Sequence, residues 1–392
     1  MAAGLALTMS VQAADAQVII SEFRLRGPSG ANDEFIEVYN NSGADHTVAG
    51  GGTGYAVAAS DGVARCVIPN GTVIPNRGHY LCANSTAYSL SGYATADATW
   101  SSANDIADNA GIALFNTSVA VDFILANRLD AVGSTSEANT LYKEGTGYPA
   151  LTPFSIDYSF HRDTCGKSGS ITTMGVCTIS TPKDTNNNAV DFVFIDTNGT
   201  SAGAGQRLGA PGPENLSSPI ERNASFGVAL LDANVASTAA PNRVRDFTSD
   251  PANNSTFGTL DLRRRFTNNT GGAVTRLRYR IIDVTTFPAP AGFADMRPRT
   301  STLVVVSGIT DAATCLASNG VATTPCTVNV QGTTLEQPPS QPNGSGFYGS
   351  LSSGTVTLGT PLANGASINL QFLLGLQQTG SFRIYLNIEA HP

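Results

Sequence analysis

Apolar and polar residues alternate with a period of two along most of this chain, and the alternation constrains the fold more than any other feature. The first two alternating stretches are Val18–Phe23 and Glu34–Tyr39. Because successive side chains of a strand point to opposite faces, each stretch predicts a strand with one covered face. Asn-Gly, Asn-Asn, Ser-Gly and Pro-Gly turn clusters lie between such stretches, a pattern typical of β-sandwiches.

Further strands are predicted along the rest of the chain, at Gly111–Phe115, Val119–Leu125, Asp191–Asp196, Gly227–Leu231, Leu260–Phe266, Thr275–Asp283, Ser301–Val306, Thr327–Val330, Gly354–Leu358, Ser367–Leu374 and Gly380–Ile388. No long segment has the 3.6-residue spacing of an amphipathic helix. Single helical turns are expected only at Thr86–Ser91, Ala103–Asp108 and Leu129–Val132. The predicted fold class is therefore all-β, with two β-sandwich domains.

Composition sets the size and the surface of these domains. The chain has 392 residues, of which 41% are hydrophobic, so it can bury cores and divide into two or three domains. Only 13% of the residues are charged, which leaves Ser, Thr, Asn and Gly to cover the surface. The net charge of −8 argues against a general nucleic-acid binder. No apolar run after the N-terminus is long enough to span a membrane as a helix.

The clearest domain boundary is a proline- and glycine-rich stretch at residues 209–219. It is predicted to be a semi-rigid linker, since proline and glycine interrupt strand ladders. The domains on either side would be residues 17–208 and residues 220–392. The net charge is −10 over residues 1–216 and +2 over residues 217–392, so the two domains are expected to carry opposite charge.

The N-terminus indicates export. Residues 1–16 are small and apolar and end in Ala14-Asp15-Ala16, which resembles the cleavage end of a secretory signal peptide. No Lys or Arg precedes the apolar run, so the true start lies upstream or the segment is instead an apolar strand or helix. With a cleaved signal the mature chain begins near Gln17, and the expected location is secreted or at the surface of a bacterial cell.

The cysteines support the same location. Six cysteines fall into three local pairs, and six allow 15 connectivities. The clustering favours disulfides between neighbours, which are Cys66–Cys82, Cys165–Cys177 and Cys315–Cys326. A metal site would need Cys-x-x-Cys or nearby histidines, and His46, His79, His161 and His391 are scattered along the chain.

The first hairpin resembles a known family. Ile20-Ser21-Glu22 and Asp33-Glu34-Phe35-Ile36-Glu37-Val38-Tyr39-Asn40 are similar to the opening of the lamin-tail domains of secreted bacterial proteins. The stretches GIALFNTSVAVDFI and LGAPGPENLS also fit, so the resemblance covers about residues 17–216, with long insertions around 84–108 and 126–190. It implies an immunoglobulin-like sandwich without catalytic residues. Residues 217–392 resemble uncharacterised partner domains of such proteins.

Motifs typical of enzymes lack their structural context. Gly199-Thr-Ser-Ala-Gly203 matches Gly-x-Ser-x-Gly, but a nucleophile elbow needs a following helix and a later histidine. The only downstream histidine is His391. The glycine runs at 50–54 and 203–209 neither open a helix nor contain Gly-Lys-Ser/Thr, as a phosphate loop does. No catalytic activity is expected.

A calcium loop and a sugar site are the two weak ligand hypotheses. Asp184, Asn186, Asn188 and Asp191 have the alternating oxygen spacing of a calcium loop, although ordinary Asx turns produce the same pattern. Apart from calcium, no cofactor is expected. Trp100, with Tyr88 and Tyr93 nearby, could stack on a carbohydrate ring if it is exposed, or anchor a core or loop if it is buried.

Several charged residues are expected to have structural roles. Glu22, Glu34 and Glu37 are expected to be solvated or paired with an arginine of a neighbouring strand rather than to hold a metal. His161 is expected at the surface, at the end of a strand.

The positions of the arginines are the most specific remaining feature of the sequence. Arg276, Arg278 and Arg280 alternate with apolar residues, so the three side chains share one strand face. Arg263 and Arg265 add a cluster on a nearby strand, and the proposed interaction face comprises these five residues. It is either a solvated face paired with local Asp261 and Asp283, or a docking face for a polyanion or a protein.

The leading functional hypothesis is a non-catalytic, secreted or cell-surface structural or adhesive protein. Head-to-tail contact of the oppositely charged domains, with Gln17–Phe23 pairing at a sheet edge, would let it self-assemble. The alternatives are a ligand-binding accessory module, for carbohydrate or dependent on calcium, and a secreted hydrolase. No nucleic-acid partner is expected.

Overall fold

The structure is a computed structural model that describes residues 18–152, 155–164, 182–336 and 340–391 of the chain. The described residues are mostly β-strand with little helix, arranged in several antiparallel sheets. The predicted all-β fold is therefore confirmed. Two predictions, the signal peptide at residues 1–16 and the Cys165–Cys177 disulfide, lie outside the described residues.

The described residues of the first half of the chain form twelve strands and one short helix. The strands are β1 Val18–Arg24, β2 Phe35–Asn40, β3 His46–Thr47, β4 Gly54–Ala59, β5 Ala64–Pro69, β6 Val73–Ile74, β7 His79–Asn84, β8 Ala98–Trp100, β9 Ile112–Phe115, β10 Arg128–Val132, β11 Tyr158–Arg162 and β12 Phe192–Asp196, and the helix is α1 Asn188–Asp191. Single 3₁₀ turns occupy Ser102–Asn104, Ala120–Asp122, Leu125–Asn127 and Thr140–Tyr142.

Ten of these strands form a sandwich of two facing sheets, and β3 and β6 pair with each other. One sheet has the order β12-β11-β1-β2-β7-β8, and the other has the order β10-β9-β4-β5. Apolar side chains from both sheets form one buried core, in which Ile36 and Val38 of β2 meet Val57 of β4 and Leu114 of β9. The strand β1 lies between β11 and β2, so both of its edges are hydrogen-bonded. The N-terminal segment is therefore not a free strand for self-assembly, and that expectation is wrong for residues 18–23.

In the second half, the part of the chain that the structure describes forms twelve further strands and two helices. The strands are β13 Ile220–Glu221, β14 Phe226–Leu230, β15 Arg243–Asp246, β16 Thr259–Asn268, β17 Arg276–Val284, β18 Asp295–Arg299, β19 Val304–Ile309, β20 Cys326–Val330, β21 Thr334–Leu335, β22 Ser350–Ser352, β23 Ser367–Gln378 and β24 Ile384–His391, and the helices are α2 Ala312–Asn319 and α3 Gly354–Leu358. Two more 3₁₀ turns lie at Asn223–Ser225 and Pro251–Asn253.

A second sandwich is built from these strands. Its sheets have the orders β13-β24-β17-β22-β21 and β14-β16-β23-β18, with β15 also paired to β16. The core between the sheets includes Tyr279 of β17, whose ring lies 5.0 Å from the ring of Phe372 of β23. A hairpin of β19 and β20 and the helix α2 enclose a smaller cluster around Cys315 and Ile309.

One strand contributes to both cores. Phe192 and Phe194 of β12 point into the first core, whereas Val193 and Ile195 pack against the second. The period of two explains the division, because alternate side chains of one strand lie on opposite faces. The six-stranded sheet therefore has a second sandwich packed on its outer face.

The predicted linker is not an exposed tether. Residues 208–214 are all buried. Leu208 forms a bridge to Asp196 at the end of β12, and the adjacent Gly209 bridges Phe347 of the second half. The proline-rich stretch is thus packed between the sandwiches along its first part.

Three local predictions are wrong. Val119–Leu125, predicted as a strand, forms two 3₁₀ turns, and Gly354–Leu358, also predicted as a strand, is α3. Leu129–Val132, predicted as a helical turn, belongs to β10. Short apolar segments fit either period, so pairing with neighbouring strands decides their conformation. Among the described residues, no helix is long and apolar enough to cross a membrane.

Candidate functional site

The two sandwiches meet at a buried group of charged residues, which we call the interface cluster. It consists of Glu22, Glu37, His79 and His161 from the six-stranded sheet, Glu214 from the linker, and Arg278, Arg280 and Glu389 from the second sandwich. All of these residues are buried except His79, which is nearly so. Charges this deep are costly unless they are paired, so their partners decide what the cluster does.

Strand alternation places these residues on the outer faces of their sheets. Ile36 and Val38 of β2 face the first core, so Glu37 between them points the other way. In the second sandwich Tyr279 faces the core, so Arg278 and Arg280 point outward. The outward face of each sheet is then covered by the other sandwich.

Strand register brings the members close together. Glu22 of β1 lies opposite both Glu37 of β2 and His161 of β11, and its Oε1 is 3.0 Å from His161 Nε2. In the other sandwich, Arg278 of β17 lies opposite Glu389 of β24. Each sheet therefore presents a compact charged patch, acidic with two histidines on one side and rich in arginine on the other.

Glu214 joins the two patches. Its backbone N–H donates to Glu37 Oε2 at 2.6 Å. Its side-chain carboxylate pairs with Arg278, with Arg280 Nη2 at 3.2 Å and with His79 Nε2 at 3.1 Å. The carboxylate therefore binds cationic or imidazole groups from both sandwiches at once.

The linker must pass very close to the arginines to reach this position. Gly212 donates its N–H to Glu22 Oε1 at 3.0 Å. A Cβ atom at Gly212 would lie 2.4 Å from Arg280 Nη1, nearer than non-bonded atoms approach. Only glycine fits here unless the guanidinium of Arg280 moves.

Glu389 completes the pairing of the arginines. Its two oxygens accept hydrogen bonds from Arg278 Nε at 2.6 Å and Arg280 Nε at 2.9 Å. Burial raises the pKa of Glu389, but the two guanidinium groups outweigh that effect, and its pKa lies below the ordinary value. The carboxylate is therefore ionised over a wider pH range than a free glutamate.

Glu37 behaves in the same way. Burial opposes its ionisation, while the charge of His79, the hydrogen bonds from His79 and Ser21, and the charge of Arg280 together lower its pKa. His79 Nδ1 is 2.9 Å from Glu37 Oε1, and the other ring nitrogen faces Glu214. An imidazolium has hydrogens on both nitrogens and can donate to both carboxylates.

This arrangement does not fit nucleophilic catalysis. The hydroxyl of Ser21 donates to Glu37 rather than to a histidine, whereas an activated serine needs a base as its direct partner. Both nitrogens of His79 already face carboxylates. The cavity that these residues line has a volume of about 90 Å³, which accommodates a few waters but is smaller than a ligand pocket of about 300 Å³ or more.

A metal ion is also a poor fit at this place. Donor atoms of Glu37, His79 and Glu214 lie within 4.8 Å of one another. Both oxygens of Glu214, however, already contact the guanidinium groups of Arg278 and Arg280, and both ring nitrogens of His79 face carboxylates, so neither residue offers a donor atom without a partner.

The arginines predicted to form one interaction face are divided by the structure. Arg276, Arg278 and Arg280 share an outward face of β17, as predicted. Arg263 and Arg265 lie on β16, in the other sheet, and Arg263 pairs with Asp261 at 2.8 Å. The single five-residue face is therefore wrong.

The solvated interpretation is also wrong for Arg278 and Arg280, which are 1% and 5% exposed. Their partners are Glu214 and Glu389 rather than the local aspartates, and Asp283 pairs with Arg383. Because both guanidinium groups are buried and occupied within the chain, these two arginines are not available to an external polyanion or a second copy, whereas Arg276 on the same face is partly exposed.

Two other expectations about buried residues need correction, and the structure decides between the two alternatives for Trp100. Glu22, Glu34 and Glu37 are at most 3% exposed, so none is solvated. His161 is buried, and its ring stacks on Tyr348 rather than facing solvent. Trp100 is 4% exposed and belongs to the first core, so the anchoring interpretation is right and the exposed stacking platform is wrong.

The predicted calcium loop is held together by its own side chains. Asn188 accepts hydrogen bonds from Gly133 N and Glu144 N and donates to Ala131 O. Asp191 accepts from Thr185 N and Asn187 N, and Asn186 adopts a left-handed conformation with φ of 56°. Asp184 has two further acidic neighbours, Asp130 and Glu144. Calcium at the four predicted residues stays a prediction.

Two of the three predicted disulfides are present in the described part of the chain. Cys66 of β5 is bonded to Cys82 of β7, which ties the two facing sheets of the first sandwich together. Cys315 of α2 is bonded to Cys326 of β20. The Gly-x-Ser-x-Gly segment at 199–203 forms a loop with Gly199 at φ 80° and Gly203 at φ 92°, as expected for a turn.

Sequence analysis did not identify Glu214, Glu389, His79 or Tyr348 as members of a site. One signal was available, because Glu22, Glu37, His79 and Glu389 are charged or polar positions inside otherwise apolar strands. A buried charge in a strand predicts a partner, but it does not say which one.

Comparison with family models, with curated proteins and with solved structures finds no match to this chain.

Proposed function

We propose that this chain is a non-catalytic structural or adhesive module of an exported bacterial protein, in which the interface cluster holds two sandwiches in a fixed relation. The observation that carries the proposal is the position of Glu214, whose carboxylate pairs with Arg278, Arg280 and His79. A linker that is buried and paired on both sides suits a rigid spacer better than a hinged enzyme.

Charge pairing supports the non-catalytic part of the proposal. In the interface cluster the carboxylates are matched with guanidinium groups or histidines, as in Glu389 with Arg278 and Glu22 with His161. A general acid or base must reach the reacting group of a substrate, whereas the charged groups of the interface cluster are buried and face one another.

The disulfides support the export part. Cys66–Cys82 and Cys315–Cys326 are both closed, and disulfides persist mainly in oxidising compartments outside the cytosol. The resemblance of residues 17–216 to secreted lamin-tail domains points to the same location and remains part of the proposal.

The test is a deletion of the coding sequence in the source bacterium, complemented with wild-type protein or with Arg278→Met. Antibody labelling of intact cells should detect both forms, while attachment or envelope integrity should be restored only by the wild type. Arg276→Met is the matched control, because it lies on the same strand with a side chain that is 37% exposed. Turnover of esters, phosphates or nucleic acids by purified protein, or absence of the protein from the cell exterior, contradicts the proposal.

The second candidate is a cation-dependent binding module. One observation favours it, the group formed by Asp130, Glu144 and Asp184. Carbohydrate binding at Trp100 has no such support, since that side chain lies in the first core.

A further inference from the structure

Three carboxylates from distant parts of the first sandwich converge at one place, which we call the acidic cluster. Asp130 lies in β10, Glu144 follows the 3₁₀ turn Thr140–Tyr142, and Asp184 precedes α1. One oxygen from each lies within 4.8 Å of the other two. Since calcium binds oxygens at about 2.3–2.6 Å, ligands on opposite sides of it are about 4.6–5.2 Å apart, and all three oxygens can contact one ion.

Glu144 gives an independent indication of a ligand site at this place. The residue is 6% exposed, and its Oε1 is 3.2 Å from Arg128 Nη2. Its other oxygen, Oε2, is buried without a hydrogen-bond partner among the described residues. A buried carboxylate oxygen with no partner is costly, so a ligand at this position would remove a real penalty.

The charges around Glu144 show what kind of ligand would remove this desolvation penalty. Four carboxylates lie here, those of the acidic cluster and of Asp191. They face two guanidinium groups: Arg162 contacts Asp130, Asp184 and Asp191, and Arg128 contacts Glu144. Among the described residues, more carboxylates than guanidinium groups lie at this place, so the ligand that suits it is a cation.

The surrounding loop fixes the acidic cluster before any ion arrives. Asn188 binds the backbone N–H of Glu144 and the carbonyl of Ala131, next to Asp130. Asp130 is held further by Ile20 N at 2.7 Å. Asp184 keeps 16% of its side chain exposed, so the acidic cluster opens to solvent on that side and water can complete the six to eight ligands that calcium takes.

From this geometry we infer that Asp130, Glu144 and Asp184 form a binding site for one divalent cation with oxygen preference, calcium rather than a transition metal. The ion would connect β10, the segment around Glu144 and the loop before α1, and so stabilise the first sandwich. Asp184 is the only ligand shared with the calcium loop predicted from the sequence. The inference is independent of the proposed structural function.

The test uses the full chain, stripped with a chelator, at pH 7.5. Calorimetric titration with calcium chloride should show one site per chain. Calcium at about 100 times its Kd should raise the melting temperature by about 5 °C. Magnesium should have a smaller effect, because it needs shorter bonds and a stricter octahedron.

Substitutions of the proposed ligands test where the ion binds. Glu144→Gln and Asp184→Asn should each abolish most of the calcium-induced shift, and Asp184→Asn covers the case in which the more buried Glu144→Gln fails to fold. Glu34→Gln is the matched control, since Glu34 is another buried glutamate but its oxygens accept hydrogen bonds from Asn84 and Ile106. It should keep the full shift. No calcium effect on the wild type, or an unchanged effect in both cluster variants, overturns the inference.

Discussion

The ring of His161 lies parallel to the ring of Tyr348, with 3.9 Å between the ring centres and 2° between the ring planes. His161 belongs to β11 of the first sandwich, and Tyr348 belongs to the second. The hydroxyl of Tyr348 also donates to the backbone oxygen of Arg162 at 3.3 Å. The Tyr348 side chain therefore forms a stacking contact and a polar contact across the interface. Both contacts lie next to Arg280 and Glu22 of the interface cluster.

Removing the Tyr348 ring should weaken the contact between the sandwiches. Tyr348→Ala deletes a buried aromatic ring, for which we expect a loss of about 3–5 kcal/mol in the free energy of unfolding. Tyr348→Phe keeps the stack and loses the hydroxyl, so it should cost only about 1 kcal/mol. Urea unfolding of both variants measures the difference, and equal losses would show that the ring stack contributes nothing.

Arg278 should be far more sensitive to substitution than its neighbour Arg276. Arg278→Met removes the partner of two buried carboxylates, Glu214 and Glu389, and breaking such a pair costs about 3–5 kcal/mol. Arg276 is partly exposed and lies 4.0 Å from Glu336, so Arg276→Met should cost less than about 1 kcal/mol. Urea unfolding measures both, and light scattering should show that neither variant changes the assembly state. Similar losses for both arginines would argue against a special role for the interface cluster.

Alternation in the sequence was sufficient to predict the long strands. Thr275–Asp283 was predicted and Arg276–Val284 is observed, and Leu260–Phe266 lies within the observed Thr259–Asn268. Such strands have enough alternating positions to exclude a helical period. The segment at 354–358 has too few, and Val356 N and Thr357 N bond to Ser353 O to form a helical turn instead.

The residues that cap helix α2 indicate a helix, although apolar-polar alternation does not reveal it. Asp311 accepts hydrogen bonds from Ala313 N and Thr314 N, and Gly320 ends the helix with φ of 74°. An aspartate before and a glycine after an alanine-rich stretch are typical helix caps, so the sequence was sufficient to predict this element.

The interface cluster could not be derived in the same way. The outward direction of Arg278 and Arg280 follows from alternation, but their partner Glu214 is 64 residues from Arg278 in the chain. Which sheet packs on which is decided by contacts between distant segments, and a local pattern contains no information on them. The sequence shows the arginines of one sandwich and the difference in net charge between the halves, but not that the two patches face each other.

The disulfides should differ in how far their stabilising effect extends. Each closes a short loop, of 16 residues for Cys66–Cys82 and 11 for Cys315–Cys326, so the loss of either is expected to cost about 3 kcal/mol. Cys66→Ala with Cys82→Ala unties two facing sheets and should lower protection from hydrogen exchange throughout the first sandwich. Cys315→Ala with Cys326→Ala should affect mainly α2 and the hairpin of β19 and β20.

Thiol titration and peptide mapping accompany these variants. The native protein should contain no reactive thiols, and mapping should also show the predicted Cys165–Cys177 bond. Three or more reactive thiols in native protein would contradict both export and the disulfide assignment.

Acid should weaken the protein through the interface cluster. The pKa of Glu389 in the folded protein is lowered by Arg278 and Arg280, and that of Glu37 by His79 and Arg280. A carboxylate with a lowered pKa binds fewer protons in the folded state than in the unfolded state. Its contribution to stability is therefore complete above the ordinary pKa of 4.5 and is lost as the pH falls through the lower folded value.

The melting temperature should accordingly fall steeply below about pH 4.5. Glu389→Gln should be less stable than the wild type at pH 7, because it weakens the pairing of two buried arginines, and its melting temperature should change less with pH in the acid range. Asp122→Asn, which alters an exposed carboxylate, should keep the steep fall. Fluorescence of Trp100, the single tryptophan, reports unfolding of the first core. If Glu389→Gln and the wild type lose stability in parallel from pH 7 to pH 3, the ion pairs at the interface are not the cause of acid sensitivity.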